Sequence, residues 1–208
     1  LLGLGQRDAA RTEFETARDI KKKLAAAYPG VPKYQVDLGN SYDRFGILFE
    51  SEGKPADSLP WFALAIRTLT PVHEKEPRDV KAKLSLRNSH SGRARAHDQL
   101  KKHAEAVKDW DRAVELSPPA EQPRYRAKRA YSRVQAGQVA EAVAEVAALT
   151  APGANATGLA TPGANATGLA KWSADQWYNF ACVYAVASGK IADKKLEHAD
   201  RAMELLHQ

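Results

Sequence analysis

Few side chains in this 208-residue sequence have types and spacings that could do chemistry. Cys182 is the sole cysteine, which excludes an intramolecular disulfide and any multi-cysteine metal site. It lies in the apolar run Phe180-Ala181-Cys182-Val183-Tyr184 and reads as a small core residue. His90, His97 and His103 have no carboxylate or cysteine at a spacing that completes a metal set. Gly3-Leu4-Gly5 lacks the third glycine of a nucleotide loop. Trp61, Trp110, Trp172 and Trp177 read as helix packing rather than as base-stacking platforms. What remains is binding chemistry. Arg124 and Lys128 stand one turn apart on an expected helix and share a face. Such a pair can make charge-assisted hydrogen bonds to a carboxylate. Both belong to a basic stretch, with 14 Lys/Arg against 6 Asp/Glu from Lys81 to Arg133 in a chain of net charge +6. That stretch suits acidic peptides, phosphorylated segments or nucleic acid.

The elements that must position these residues are helical. Hydrophobic residues make up 44% and charged residues 27%, as in ordinary water-soluble domains. No apolar run approaches the roughly 20 residues of a membrane helix, and no signal peptide is visible, so a cytoplasmic protein is expected. The chain begins with Leu, its single Met is Met203, and it stops within an expected helix. It therefore reads as a fragment of a longer protein.

One pattern recurs at a fixed interval. Gly5, Ala10, Phe14 and Ala17 return 48 residues later as Gly53, Ser58, Phe62 and Ala65, and after another 48 as Ala106, Trp110 and Ala113. Small–large–small at helical spacing with a constant period marks stacked helical hairpins. Small residues belong where two helix backbones approach, and the large one fills the gap to the neighbouring hairpin. Gly137 and Ala142 keep part of the pattern, with Val146 and Leu149 in the later places. Gly5, Gly53, Gly137 and Gly189 fall where one helix is expected to turn into the next. Apolar periodicity and breakers predict helices over 7–28, 33–52, 56–70, 78–99, 103–116, 122–136, 139–149, 173–187 and 194–207. Pro60 is tolerable near the start of its helix. Ser173 with Gln176 makes a capping box. Residues 151–170 are a ten-residue unit given twice, uncharged and rich in Gly, Pro and Asn, and read as a duplicated surface loop.

These residues resemble the tetratricopeptide repeat family over nearly the whole chain. Tyr42, Phe45, Gly46 and Phe49 have the spacing of its first-helix signature. The 48-residue period resembles the longer kinesin-light-chain-like repeats. The resemblance implies an all-α, right-handed solenoid of about five antiparallel hairpins, near 1–30, 31–75, 76–119, 120–150 and 171–208, in a single domain. The stretches 104–118 and 175–185, the latter with 199–206, further resemble the repeat regions that follow the kinase domain in bacterial serine/threonine protein kinases. That implies a regulatory or partner-binding appendage of a signalling protein rather than a catalyst, and no cofactor or metal is expected.

In this family the first helix of each hairpin lines the concave groove. Ligand contacts are therefore expected from 33–52, 78–99, 122–136 and 174–187, with Arg87, Arg95, Arg124, Lys128, Tyr131 and Asn179 as groove residues. Arg124 and Lys128 resemble the family's carboxylate-clamping pair. Asp43 and Gly92 stand where that clamp has a basic residue and an Asn. The expected partner is a protein or peptide carrying acidic residues, and nucleic acid bound by 81–133 is the alternative. Self-association through the apolar ends, Leu1–Leu4 or Met203–Leu206, is a further expectation.

Overall fold

The computed structural model describes residues 4–151, 172 and 174–206. Residues 1–3, the side chains of residues 4–10, Ser173 and nearly all of the 151–170 repeat lie outside the described residues. The expected apolar N-terminal end, the Ser173 cap and the duplicated loop fall there. The helices are α1 (Leu4–Ala27), α2 (Pro32–Ser51), α3 (Pro55–Lys75), α4 (Val80–Gln99), α5 (His103–Glu115), α6 (Gln122–Gln135), α7 (Val139–Thr150), α8 (Ala174–Lys190) and α9 (Lys195–Leu206), with a 3-10 turn at Ala192–Lys194. Among the described residues there is no strand, and the fold is an all-α helical repeat.

The chain forms two compact units, Leu1–Leu100 and Lys101–Gln208. In the first, each helix packs on the one before it, and α2 also packs on α4. In the second, α5 to α9 pack in succession, and α6 also packs on α8. Contacts between every second helix are what stacked hairpins require. They put α2 and α4 in one layer of the first unit, and α6 and α8 in one layer of the second.

Local sequence explains the helix ends. Proline occupies the first turn of α2, α3 and α6, where its missing N–H costs nothing. Asp79 caps α4 by accepting from the backbone N–H of Lys81 at 2.8 Å and of Ala82 at 3.1 Å. Gly53 (φ 72°) and Gly137 (φ 88°) leave α2 and α6 in the left-handed region. The N–H groups of Lys54 and Gln138 then close back on the carbonyls of Phe49 and Arg133 at 2.9 Å each.

The turns depart from expectation at two glycines. Gly5 lies inside α1, and Gly189 lies inside α8 without a positive φ, so neither makes a turn. The chain instead leaves α8 after Lys190 through the 3-10 turn. The left-handed position of the third repeat falls on Lys101 (φ 58°), 48 residues after Gly53. A side chain with a Cβ is strained there by about 1–2 kcal/mol. Lys101→Gly is therefore expected to raise stability by about 1 kcal/mol, read as a higher denaturation midpoint at unchanged slope. The third helix also runs past its expected end at residue 70. Pro71 removes one backbone hydrogen bond but lies exposed, while Leu69 and Val72 on either side of it are buried. Burying these two side chains carries the helix through the proline.

The recurring pattern forms the core. Ser58, Phe62 and Ala65 of α3, Ala106, Trp110 and Ala113 of α5, and Ala142, Val146 and Leu149 of α7 are all buried. Phe14 and Ala17 of α1 are only half-buried, with Phe14 edge-on to Phe45 at 6.4 Å. The close approach comes from glycines on the facing helices. A Cβ on Gly46 of α2 would stand 2.6 Å from the Phe62 ring, and one on Gly92 of α4 would stand 2.4 Å from it. Phe62, fully buried, thus fills a slot between two glycines of two helices. Gly39 makes the same room for Leu69.

Candidate functional site

The α6 helix carries two charged stripes with different fates. Arg126, Arg129 and Arg133 follow one another at steps of three and four, on the side between α5 and α7. There they converge on Glu145 of α7, whose side chain is only 4% exposed. Arg126 Nε donates to Glu145 Oε1 at 3.1 Å, Arg129 Nε to Oε2 at 3.1 Å, and Arg133 Nη1 to Oε2 at 2.9 Å. A second Arg129 nitrogen also bonds Oε1. Asp111 of α5 completes the set, accepting from Arg129 Nη1 at 2.7 Å and from Arg133 Nη2 at 3.4 Å. Burial works against the Arg129 charge, but Glu145 and Asp111 more than offset it and hold its pKa above the ordinary arginine value. This cluster ties three helices together, and sequence reading missed it.

The second stripe is Arg124, Lys128 and Tyr131, at steps of four and three. Arg124 is exposed, its guanidinium 5.8 Å from the centre of the Tyr125 ring. Lys128 is half-buried, with Nζ 5.8 Å from the centre of the Trp110 ring. Tyr131 is half-buried. On α8, Asn179 is half-buried and Tyr178 beside it is 59% exposed. Cys182, one turn along α8, raises the Tyr178 phenol above its ordinary pKa, and Tyr131 adds to that effect. Four of the expected groove residues thus stand on two helices that pack together, α6 and α8, with Tyr178 exposed next to Asn179.

Arg87 and Arg95 belong to the first unit and have other surroundings. Arg87 is buried, with its Nη2 3.3 Å from Asn88 Oδ1. Arg95 grips Glu50 of α2 with two bonds, of 2.9 Å and 2.8 Å. Ser89 Oγ donates to Asp43 Oδ1 at 2.9 Å, again joining α4 to α2. Burial raises the Asp43 carboxyl above its ordinary pKa, against the Ser89 bond and the nearby charges of Arg95 and Arg44. Gly92 holds open the space for Phe62, so its place on α4 answers to packing.

The basic stretch is thus less basic in space than in sequence. Arg95, Arg112, Arg126, Arg129 and Arg133 are all in ion pairs, and two of the acids concerned, Glu50 and Glu145, lie outside 81–133. Among the described residues no group of three His, Cys, Asp or Glu side chains could hold a metal ion, and no helix is long and apolar enough to cross a membrane.

No protein-family model matches the chain, and no curated protein does. Solved structures do. The chain is similar to MamA, with 13% identity and a TM-score of 0.49 over 99% of this chain and 95% of that one. It is also similar to BtubC (BKLC) from P. vanneervenii, with 14% identity and a TM-score of 0.49 over 96% of this chain and 73% of that one. The all-α repeat assignment rests on the helices and their packing order.

Proposed function

We propose that the chain is a protein-interaction module of tetratricopeptide type, and that its partner docks on α6 and α8 as an extended peptide or a helix. The observation that carries this reading is Tyr178, 59% exposed on α8, the helix that packs on α6 with its Arg124, Lys128 and Tyr131. Exposed aromatic and arginine side chains on a rigid helical surface are what protein interfaces favour. Tyr178 and Tyr131 supply contact area at small entropic cost, Asn179 an amide for a partner backbone, and Arg124 a cation for an acidic side chain. The five ion-paired arginines leave a less basic surface for phosphate contacts, which favours a protein partner over nucleic acid.

Two sequence stretches resemble kinase-associated repeats, so the module is read as a regulatory part of a larger cytoplasmic signalling protein. A pull-down with the 208-residue chain, or a peptide display selection against it, identifies the partner. Tyr178→Ala and Arg124→Glu should each weaken capture about tenfold, or about 1.4 kcal/mol. If both variants capture the same partner at full strength, the α6–α8 face is not the binding site.

A further inference from the structure

Helix α1 is held more loosely than its neighbours. α2 buries six residues and α3 buries five. Among the described side chains of α1 only Ala25 is buried, close to the turn into α2. Near that turn Gln35 Nε2 donates to the Ala25 carbonyl at 3.1 Å, and Lys21 Nζ donates to Ser41 at 2.9 Å. Further from the turn the grip is one ring and two guanidiniums, all half-buried. Phe14 meets Phe45 edge-on. Arg18 lies over the rings of Phe45 and Trp61, at 5.3 Å and 5.8 Å, and Arg11 over that of Phe49 at 5.0 Å. Such contacts are weak where water reaches them. Arg11 also pairs with Glu15 at 3.7 Å and Arg18 with Asp19 at 2.8 Å. Both acids belong to α1, so neither cation depends on α2 or α3 for its counter-charge.

What α1 covers is an aromatic slab. Trp61 of α3 stacks on Phe45 of α2 at 4.6 Å and 22°, with Phe49 at 6.3 Å and Tyr42 at 6.2 Å from it. The slab does not need α1 to hold its shape, because Leu69 against Gly39 and Phe62 against Gly46 join α3 to α2 directly. The connection also suits a helix that leaves. Pro29 and Pro32 bias the residues before them, Tyr28 and Val31, towards extended backbone. Val31 is already extended, at φ −103° and ψ 100°.

We propose that α1 is a releasable cover, and that the slab beneath it is a docking seat for a partner helix carrying an aromatic ring between two arginines, at steps of three and four. The present occupant selects that chemistry, since Arg11, Phe14 and Arg18 of α1 have this spacing and are seen seated on the slab. The chain's own α1 then competes with the partner, and the partner binds only the fraction of molecules in which α1 has lifted. The seat lies in the first unit and is independent of the α6–α8 face.

Hydrogen exchange of the 208-residue chain tests the release. Backbone amides of residues 12–22 should be protected about a hundredfold less than those of α2 to α4. A chain with Phe14→Asp and Arg18→Glu should lose the α1 protection and keep that of α2 to α4. A fluorescent peptide spanning Leu4–Ala27, followed by anisotropy, tests the seat. It should bind the double variant, whose seat is vacant, about tenfold or more tighter than it binds the wild-type chain. The same peptide with both substitutions should not bind. Protection of α1 equal to that of α2 overturns the proposal. So does a double variant that loses protection in α2 to α4, the mark of a helix belonging to the core. Equal binding of the peptide to both chains overturns it, as does equal binding of the two peptides.

Discussion

Glu145→Ala destabilises the second unit by about 3–5 kcal/mol, the cost of stranding largely buried charges by removing their partner. The carboxylate is 4% exposed, and the three guanidiniums that meet on it are 15–21% exposed. Without Glu145, Arg126 loses its ion pair on α7, and Arg129 and Arg133 are left to share Asp111. Asp111 lies at 46% exposure, where water already screens its charge. Asp111→Ala should accordingly cost about 1 kcal/mol or less. Glu145→Gln, which keeps the shape and removes the charge, should resemble Glu145→Ala rather than wild type. Urea denaturation followed by helical circular dichroism separates these outcomes. A loss below about 1 kcal/mol for Glu145→Ala would show that the cluster is a surface network instead of a link between α5, α6 and α7.

Gly92→Ala costs about 1–3 kcal/mol, although alanine favours a helix over glycine by about 1 kcal/mol. The added methyl would stand 2.4 Å from the Phe62 ring, which is fully buried and is met as closely by Gly46 of α2. A fully buried ring held this close to two helices has little room to yield. Phe62→Ala should by itself cost about 3–5 kcal/mol through lost burial and a cavity. In that background Gly92→Ala should become neutral or stabilising, because the helix preference stays and the clash is gone. A double-mutant cycle in urea reads this as a coupling of about 1–3 kcal/mol. Additive effects would mean that the slot is not what requires glycine at 92.

Much of this arrangement is legible in the chain. Ser58-Phe62-Ala65 and Ala106-Trp110-Ala113 are local patterns, and the helices that carry them need only neighbouring residues to form. Gly53 and Gly137 announce their turns because a left-handed backbone is a property of a single residue. Lys101 hides its turn, since nothing in a lysine signals a positive φ, and only its distance from Gly53 places it. Pro71 misleads in the other direction. It looks like a stop, but burial of Leu69 and Val72 outweighs one lost hydrogen bond.

The charged residues read least well. Glu145 sits among Ala and Val in α7 and resembles an ordinary solvated acid, while its partners lie 12 to 19 residues earlier. Arg95 looks like a groove cation until Glu50, 45 residues before it, reaches it. Gly92 looks like a missing clamp residue until Phe62 is seen pressed against it. By itself, the sequence determined that the described elements are helices, where most of them end, and which small and large residues form the hairpin core. The tertiary structure decided which charges are spent on other helices and which side chains stay exposed on α6, α8 and α9. Helix formation depends on neighbours in sequence, whereas the fate of a charge depends on which groups come within a few ångströms in space.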